Sequence, residues 1–162
     1  MELVPCTAED VWLTDALETD PRVMAELGGP QPIDYVKDVH ARRVAGIEDG
    51  NWWLKMVPEP HGEPVGTIGL WRGVWEGAPI SETGWMVLPA HQGKGHASAA
   101  LSVLLERARA AGTWGDIHAF PGATNEPSNA LCRKFGFERL ETTDVDYGDR
   151  TLRVNHWVLR AG

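Results

Sequence analysis

The chain reads as an α+β domain built on a mixed sheet, and three observations predict this. The apolar spacing is helical before residue 50 and turns β-like after it. Between Asn51 and Leu88, three β-rich segments follow one another on short glycine- and proline-bearing loops, as in an antiparallel meander. A glycine turn at Gln92–Ala97 then leads into an Ala/Leu-rich helix and a further strand, which implies a parallel crossover pair.

The elements follow in order. Residues 2–6 read as a short strand, and Thr7 caps a helix through Glu18 with Val11, Trp12 and Leu17 apolar. Asp20-Pro21 starts a short helical piece ended by Gly28-Gly29-Pro30. Val36, Val39, His40 and Val44 recur at helical spacing from Ile33 to about Gly46. Asn51–Val57, Val65–Trp71 and Ile80–Leu88 are the meander strands, with Glu59–Glu63 and Gly73–Pro79 as turn regions. Ala97, Leu101, Leu104, Leu105 and Ala108 share one face of the next helix, which Gly112 ends. Asp116–Phe120 is the following strand, and Ser128–Phe135 a short helix closed by Gly136. Phe137–Glu141 and Thr151–Leu159 are two last strands around an acidic turn, Asp144–Asp149.

Length and composition bound the function. The 162 residues suit one domain, 1–162, and 43% hydrophobic residues suffice for one sizeable core. A net charge of -8 argues against nucleic acid as partner, because phosphate binding wants a basic face. The same charge draws cationic substrates weakly, and solubility is its ordinary explanation. Cys6 and Cys132 are too few and too distant for a disulfide framework, so a reducing cytoplasm is the expected setting. Met1–Pro5 has neither a basic nor an apolar leader segment, and no apolar run approaches the ~18 residues of a membrane span. The six histidines show no ligand spacing, so no metal is expected.

The glycine turn is the sharpest chemical feature. Gly93 and Gly95 let the backbone curl and expose its N–H groups, and the helix after them adds the positive end of its dipole. That is a phosphate site in waiting. A P-loop is excluded, since residue 88 is Leu and residue 95 is Gly. A dinucleotide fingerprint fits poorly, because Ser98 stands where its third glycine belongs and the turn follows a meander.

Gln92-Gly93-Lys94-Gly95-His96-Ala97 resembles the Arg/Gln-x-x-Gly-x-Gly/Ala pyrophosphate loop of the GCN5-related N-acetyltransferases (GNAT). Glu82–Pro89 is similar to that family's fourth strand, and Asn125–Phe137 to its Asn-x-x-Ser…Lys-x-Gly-Phe segment. The opening, with Leu3–Pro5, Asp20-Pro21 and Gly28-Gly29, resembles the branch containing ribosomal-protein N-terminal acetyltransferases. The resemblance implies the GNAT fold, a meander followed by a β-α-β unit whose central strands splay, usually at a bulge. It implies transfer of an acetyl group from acetyl-coenzyme A to an amine, either a protein N-terminus or an aminoglycoside or other small amine. A homodimer is common in such a family.

By the same resemblance, Met86, Val87 and Leu88 line the gap, and an N–H near Val87 or Leu88 holds the thioester oxygen as charge develops. Gln92, Gly93, Lys94, Gly95, His96 and Ala97 cradle the pyrophosphate, while Asn125 and Asn129 border the pantetheine arm. Glu82 is the expected base, directly or through water; as an ordinary residue it is a surface strand glutamate. Ser128 is the expected acid, and it also reads as a helix cap. The family's usual acid, a tyrosine, is absent, since Cys132 stands in its place and reads as a small buried hydrophobe. That absence keeps a second class open, a non-catalytic acyl-coenzyme A binder or sensor. His118 faces either the acceptor pocket or the sheet. Of the eight tryptophans, most are expected in packing; Trp71, Trp75 and Trp85 lie on strands or a turn flanking the acceptor side, where one or two are expected to stack on a substrate or hold a cation.

Overall fold

The computed structural model describes Met1–Gly162. Its strands are β1 (Glu2–Pro5), β2 (Trp52–Val57), β3 (Gly66–Trp75), β4 (Ala78–Val87), β5 (Ile117–Ala119), β6 (Glu138–Tyr147) and β7 (Arg150–Leu159). Its helices are α1 (Val11–Glu18), α2 (Ile33–Glu48), α3 (His96–Ala111) and α4 (Glu126–Lys134). One sheet holds all seven strands in the order β1-β2-β3-β4-β5-β7-β6. The pairing is antiparallel except between β4 and β5, so the sheet is mixed as the sequence predicts.

The core lies between α3 and the sheet. Leu101, Leu104, Leu105 and Ala108 of α3 meet Leu54, Met56, Ile68, Leu70 and Ile117, all nearly inaccessible to water. Each buried aliphatic side chain contributes about 1.5–3 kcal/mol relative to exposure, so this layer fixes where α3 begins. Leu131 and Cys132 of α4 join the same cluster. Burial drives the Cys132 thiol up to about 12, as expected of an inert hydrophobe. No helix is long and apolar enough to cross a membrane.

The two long hairpins differ from expectation. Gly73–Pro79 and Asp144–Asp149 read as extended turn regions, yet β3 continues to Trp75 and β6 to Tyr147. The real turns are two residues each. Glu76 (φ 48) and Gly77 (φ 78) make the first, with positive φ at both positions, as tight hairpins require. Gly148 (φ 62) marks the second. Asp144 and Asp146 alternate with Val145 and Tyr147, and Asp144 is bridged to Arg153 across β7. Cross-strand pairing outweighs the turn preference of the acidic residues.

Two other starts move. The first helical stretch opens with a 3-10 turn, Ala8–Asp10, where Thr7 N–H and hydroxyl both donate to the Asp10 carboxylate. α4 begins at Glu126, not Ser128, because the Asn125 side chain caps it by accepting from the Ser128 N–H at 3.2 Å. Finally, the last hairpin is tied to the N-terminal region by Arg150. Its guanidinium donates to the carbonyls of Leu27, Gly29 and Pro30.

Candidate active site

β4 and β5 pair at only two positions, Ser81↔Ile117 and Glu82↔His118. β5 then stops at Ala119. Pro121, which has no N–H to donate, follows, and Gly122 bridges instead to Val154. The upper half of β4, from Thr83 to Val87, therefore has β3 on one side and no strand on the other. The expected bulge in β4 is not there: its register with β3 is continuous, and the sheet's irregularity lies at Arg139/Glu141. The splay comes from the early end of β5.

The backbone of the free edge follows from hydrogen-bond alternation. The Leu88 N–H donates to the Val65 carbonyl at 2.8 Å, which removes it from the expected pair of oxyanion donors. Successive N–H groups in a strand point to opposite edges. Val87 therefore turns its N–H toward the gap. Its carbonyl points the same way and accepts from Gln92 Nε2 at 3.0 Å. Gly66, opposite Val87, permits the close approach of the strands, since a Cβ there would lie 2.2 Å from the Met86 carbonyl oxygen.

Above the gap, Gly93 (φ 69) and Gly95 (φ 81) hold the left-handed conformation, and the space where a side chain would project is open at both. Gly95 precedes α3, whose first carbonyl partnership is Ala99 N–H to Gly95. The N–H groups of His96, Ala97 and Ser98 are thus left without helical acceptors. No side chain caps this end. Lys134, at the end of α4, reaches across and donates to Ser98 Oγ at 2.6 Å, bringing an ammonium to the first turn of α3. Lys134 belongs to the Lys-x-Gly-Phe segment, and nothing local in that segment signals its contact with Ser98. Lys94 itself is exposed and, like Leu88, lies outside the cleft lining.

A cleft of about 1690 Å³ runs from this loop across the sheet. Glu82, Met86, Val87, Gln92, Gly93, Gly95, His96, Ala97, Asn125 and Ser128 all line it. Glu82 is half-buried beneath Trp71, its cross-strand partner. Burial pushes its carboxyl up to about 7, against a smaller opposing effect of the Trp71 side chain. Ser128 accepts from the Trp85 indole N–H at 3.3 Å, so its own hydroxyl proton stays available. The indole was not anticipated as its partner.

Asn129 does not reach the cleft. It is 2% exposed, its amide donates to the carbonyls of Gly122 and Asn125, and its oxygen accepts from Asn155 and Trp157. Its hydrogen-bonding capacity is spent inside the fold, which corrects the expectation of a direct contact with the cofactor. On the opposite side of the cleft, the tip of the first hairpin carries Trp75 over onto Phe120 and His156, at 4.8 and 5.2 Å between ring centroids. Trp71 and Trp75 both line this wall, as does Trp85 further toward the loop.

Residues 1–138 match the family described as "Acetyltransferase (GNAT) domain". The chain belongs to that family of acetyltransferases. No curated protein is similar to it in sequence. Among solved structures, the ribosomal-protein-alanine N-acetyltransferase of Brucella melitensis superposes with a TM-score of 0.79 at 23% identity, covering 99% of this chain and 100% of that one. An acetyltransferase from Agrobacterium tumefaciens gives 0.79 at 20%, covering 98% and 90%. The putative acetyltransferase yncA of Salmonella typhimurium, solved with its cofactor acetyl-CoA, gives 0.75 at 24%, covering 98% and 92%. At these identities the likeness to solved structures is one of fold.

Proposed function

We propose that this GNAT domain moves an acetyl group from acetyl-coenzyme A to a primary amine by direct attack, with both substrates held in the cleft together. The observation that carries the reading is Glu82. A carboxyl raised to about 7 stands on the strand whose upper edge offers the unpaired Val87 amide, below a glycine-lined helix start. A base poised near neutral pH suits removal of a proton from an ammonium.

The residues present fit the donor. The open space at Gly93 and Gly95 and the free N–H groups of α3 suit a pyrophosphate, with Gln92, His96 and Ala97 beside it. Met86, Val87 and Asn125 would flank the pantetheine arm, and Asn129 would serve by holding α4 against β7. When bound, acetyl-coenzyme A supplies the activated acetyl thioester. The Val87 N–H would stabilise charge developing on the thioester oxygen. Ser128, with its oxygen occupied by Trp85 and its proton free, would protonate the departing sulfur. Juxtaposing both substrates recovers much of the entropic cost of their encounter.

The acceptor is an amine at the Trp71–Trp75 side, a protein N-terminus or a small-molecule amine. The cleft exceeds the ~300–1,000 Å³ of ordinary small-ligand sites, as two substrates require. Two free buried cysteines suit a reducing cytoplasm. The non-catalytic binder draws on one observation, the inert buried Cys132 where a tyrosine acid is usual. The raised Glu82 carboxyl favours the enzyme, since a binder has no use for it.

Thiol release from acetyl-coenzyme A, followed against peptides with varied N-termini, aminoglycosides, polyamines and amino acids, tests this. The expected result is turnover whose kcat/KM rises with pH through about 7, and a Glu82→Gln variant that is slow and lacks that rise. Acetyl-coenzyme A binding with no transfer to any amine would instead favour the binder.

A further inference from the structure

Behind Trp75 on the acceptor wall lie two histidines that take no part in the proposed transfer step. His118 on β5 and His156 on β7 stack at 5.1 Å, with His118 Nδ1 and His156 Nε2 only 2.8 Å apart. His156 is 2% exposed, and its other nitrogen, Nδ1, is buried without a hydrogen-bond partner. The carboxylate nearest that atom is Glu141, its register partner on β6, with Oε1 at 3.6 Å and a half-exposed side chain. Trp75 and Phe120 pack against the His156 ring, and both of them line the cleft.

A hydrogen bond between two ring nitrogens needs one N–H and one lone pair. Two tautomer pairings provide that. In one, His156 turns a bare Nδ1 lone pair toward the Glu141 carboxylate, which repels it. In the other, Nδ1 carries the proton and faces the carboxylate favourably. Electrostatics selects the second, just as a carboxylate fixes the tautomer of a histidine in a catalytic triad. His156 Nε2 then accepts from His118 Nδ1–H, and His118 keeps an unprotonated Nε2. The other charges facing the pair are Asp116 before β5, Arg160 after β7 and Glu76 at the hairpin tip. Burial is the largest influence on both rings and keeps them below the ordinary histidine value.

His118 is also the register partner of Glu82 on the neighbouring parallel strand. Such partners project to the same face of a sheet, about 4.8 Å apart. Resting on Glu82 as the base, we propose that His118, His156 and Glu141 form the proton exit of this active site. The acceptor ammonium gives its proton to the Glu82 carboxylate, breaking an N–H bond and forming an O–H bond. Glu82 passes that proton to His118 Nε2 across one bridging water and regains its negative charge. The His118 imidazolium is stabilised by Glu141 acting through His156. It then releases the proton to solvent and returns to its neutral form. With both substrates filling the cleft, this side route lets the base reset while they stay bound. His118 and His156 touch neither substrate, so they are relay and positioning residues.

The test uses the full chain with His118→Gln, His156→Gln and Glu141→Gln, in thiol-release assays at saturating substrates. The histidine variants are expected to lose about tenfold in kcat, less than the ~10²–10⁴-fold of a direct general acid or base, because they act through Glu82. Their acetyl-coenzyme A affinity should be unchanged, their solvent deuterium isotope effect larger, and added imidazole should restore rate. Glu141→Gln, at a half-exposed site that folding tolerates, should lower kcat by about threefold and move the pH–rate profile. If these variants match wild type while Glu82→Gln is slow, the relay is wrong and the base assignment stands. Loss of rate with neither imidazole rescue nor an isotope change marks a purely structural role and also overturns it. If Glu82→Gln keeps the wild-type pH profile, the base assignment fails and takes the relay with it.

Discussion

Gly93, Gly95 and the Val87 amide line one end of the cleft with main-chain groups, the donor side in the function proposed above, whereas Trp71, Trp75 and Phe120 line the proposed acceptor side with rings. Backbone sites depend on φ values and on which strand stops where. Ring-walled sites depend on side chains brought from β3 and from the segment that follows β5. The first kind tolerates change in every side chain except the glycines. The second changes its specificity with each ring. A common donor and a variable acceptor call for this division of material.

Gly95→Leu separates the two sides of the cleft most strongly. A side chain forced into the left-handed region and into the open phosphate space should raise the acetyl-coenzyme A Kd by roughly 100-fold, about 3 kcal/mol. Calorimetry reads it directly, and unchanged affinity would refute the loop assignment. Asn129→Ala attacks the joint between the two halves, because it strips partners from buried Asn155 and Trp157. A loss of about 2–4 kcal/mol in denaturant unfolding is expected. Trp75→Ala should touch one half only. The acceptor KM should rise about tenfold while the donor Kd holds, a loss of the size expected for one aromatic contact. Lys134→Met should weaken donor binding by about threefold at low salt, and by less as salt rises, since the ammonium is exposed.

A separate effect concerns stability, and its sign opposes that on rate. The folded-state value of Glu82, about 7, lies above its ordinary 4.5, so the folded protein binds the proton more tightly than the unfolded chain. Stability from this group is therefore full below pH 4.5 and declines as pH rises through 7. Glu82→Gln should melt higher than wild type at pH 8 and show less difference at pH 5. An equal difference at both pH values would mean that the carboxyl is not raised.

The same division explains what could be read from residues alone. Gly93 and Gly95 announce a turn because glycine is the residue that curls without strain, and the helix after them is plain from its Leu and Ala spacing. Glu82 is legible as a strand glutamate, but its raised value comes from burial in the assembled sheet, against the opposing effect of Trp71, and no local pattern encodes that burial. Leu88 and Val87 look alike in sequence, and only the pairing with Val65 tells which amide is spoken for. Asn129 carries a polar side chain in a motif segment, so it reads as a ligand contact until Asn155 and Trp157 arrive from β7. The hairpin lengths escape the local residues for a related reason: the partner strand decides where a turn tightens. His118 and His156 stand 38 residues apart, and their meeting is a property of the sheet order alone.

Arg150 has a consequence for how the molecule comes into being. The carbonyls of Leu27, Gly29 and Pro30 receive their donor from a residue some 120 positions downstream. On the ribosome, β4 and α3 emerge while that donor is still untranslated. A nascent chain can thus shape its donor loop before β7 delivers His156, Asn155 and the guanidinium that fastens the opposite wall. A ribosome-stalled chain ending before Arg150 should accordingly be more protease-sensitive around Gly28–Pro30 than the completed protein.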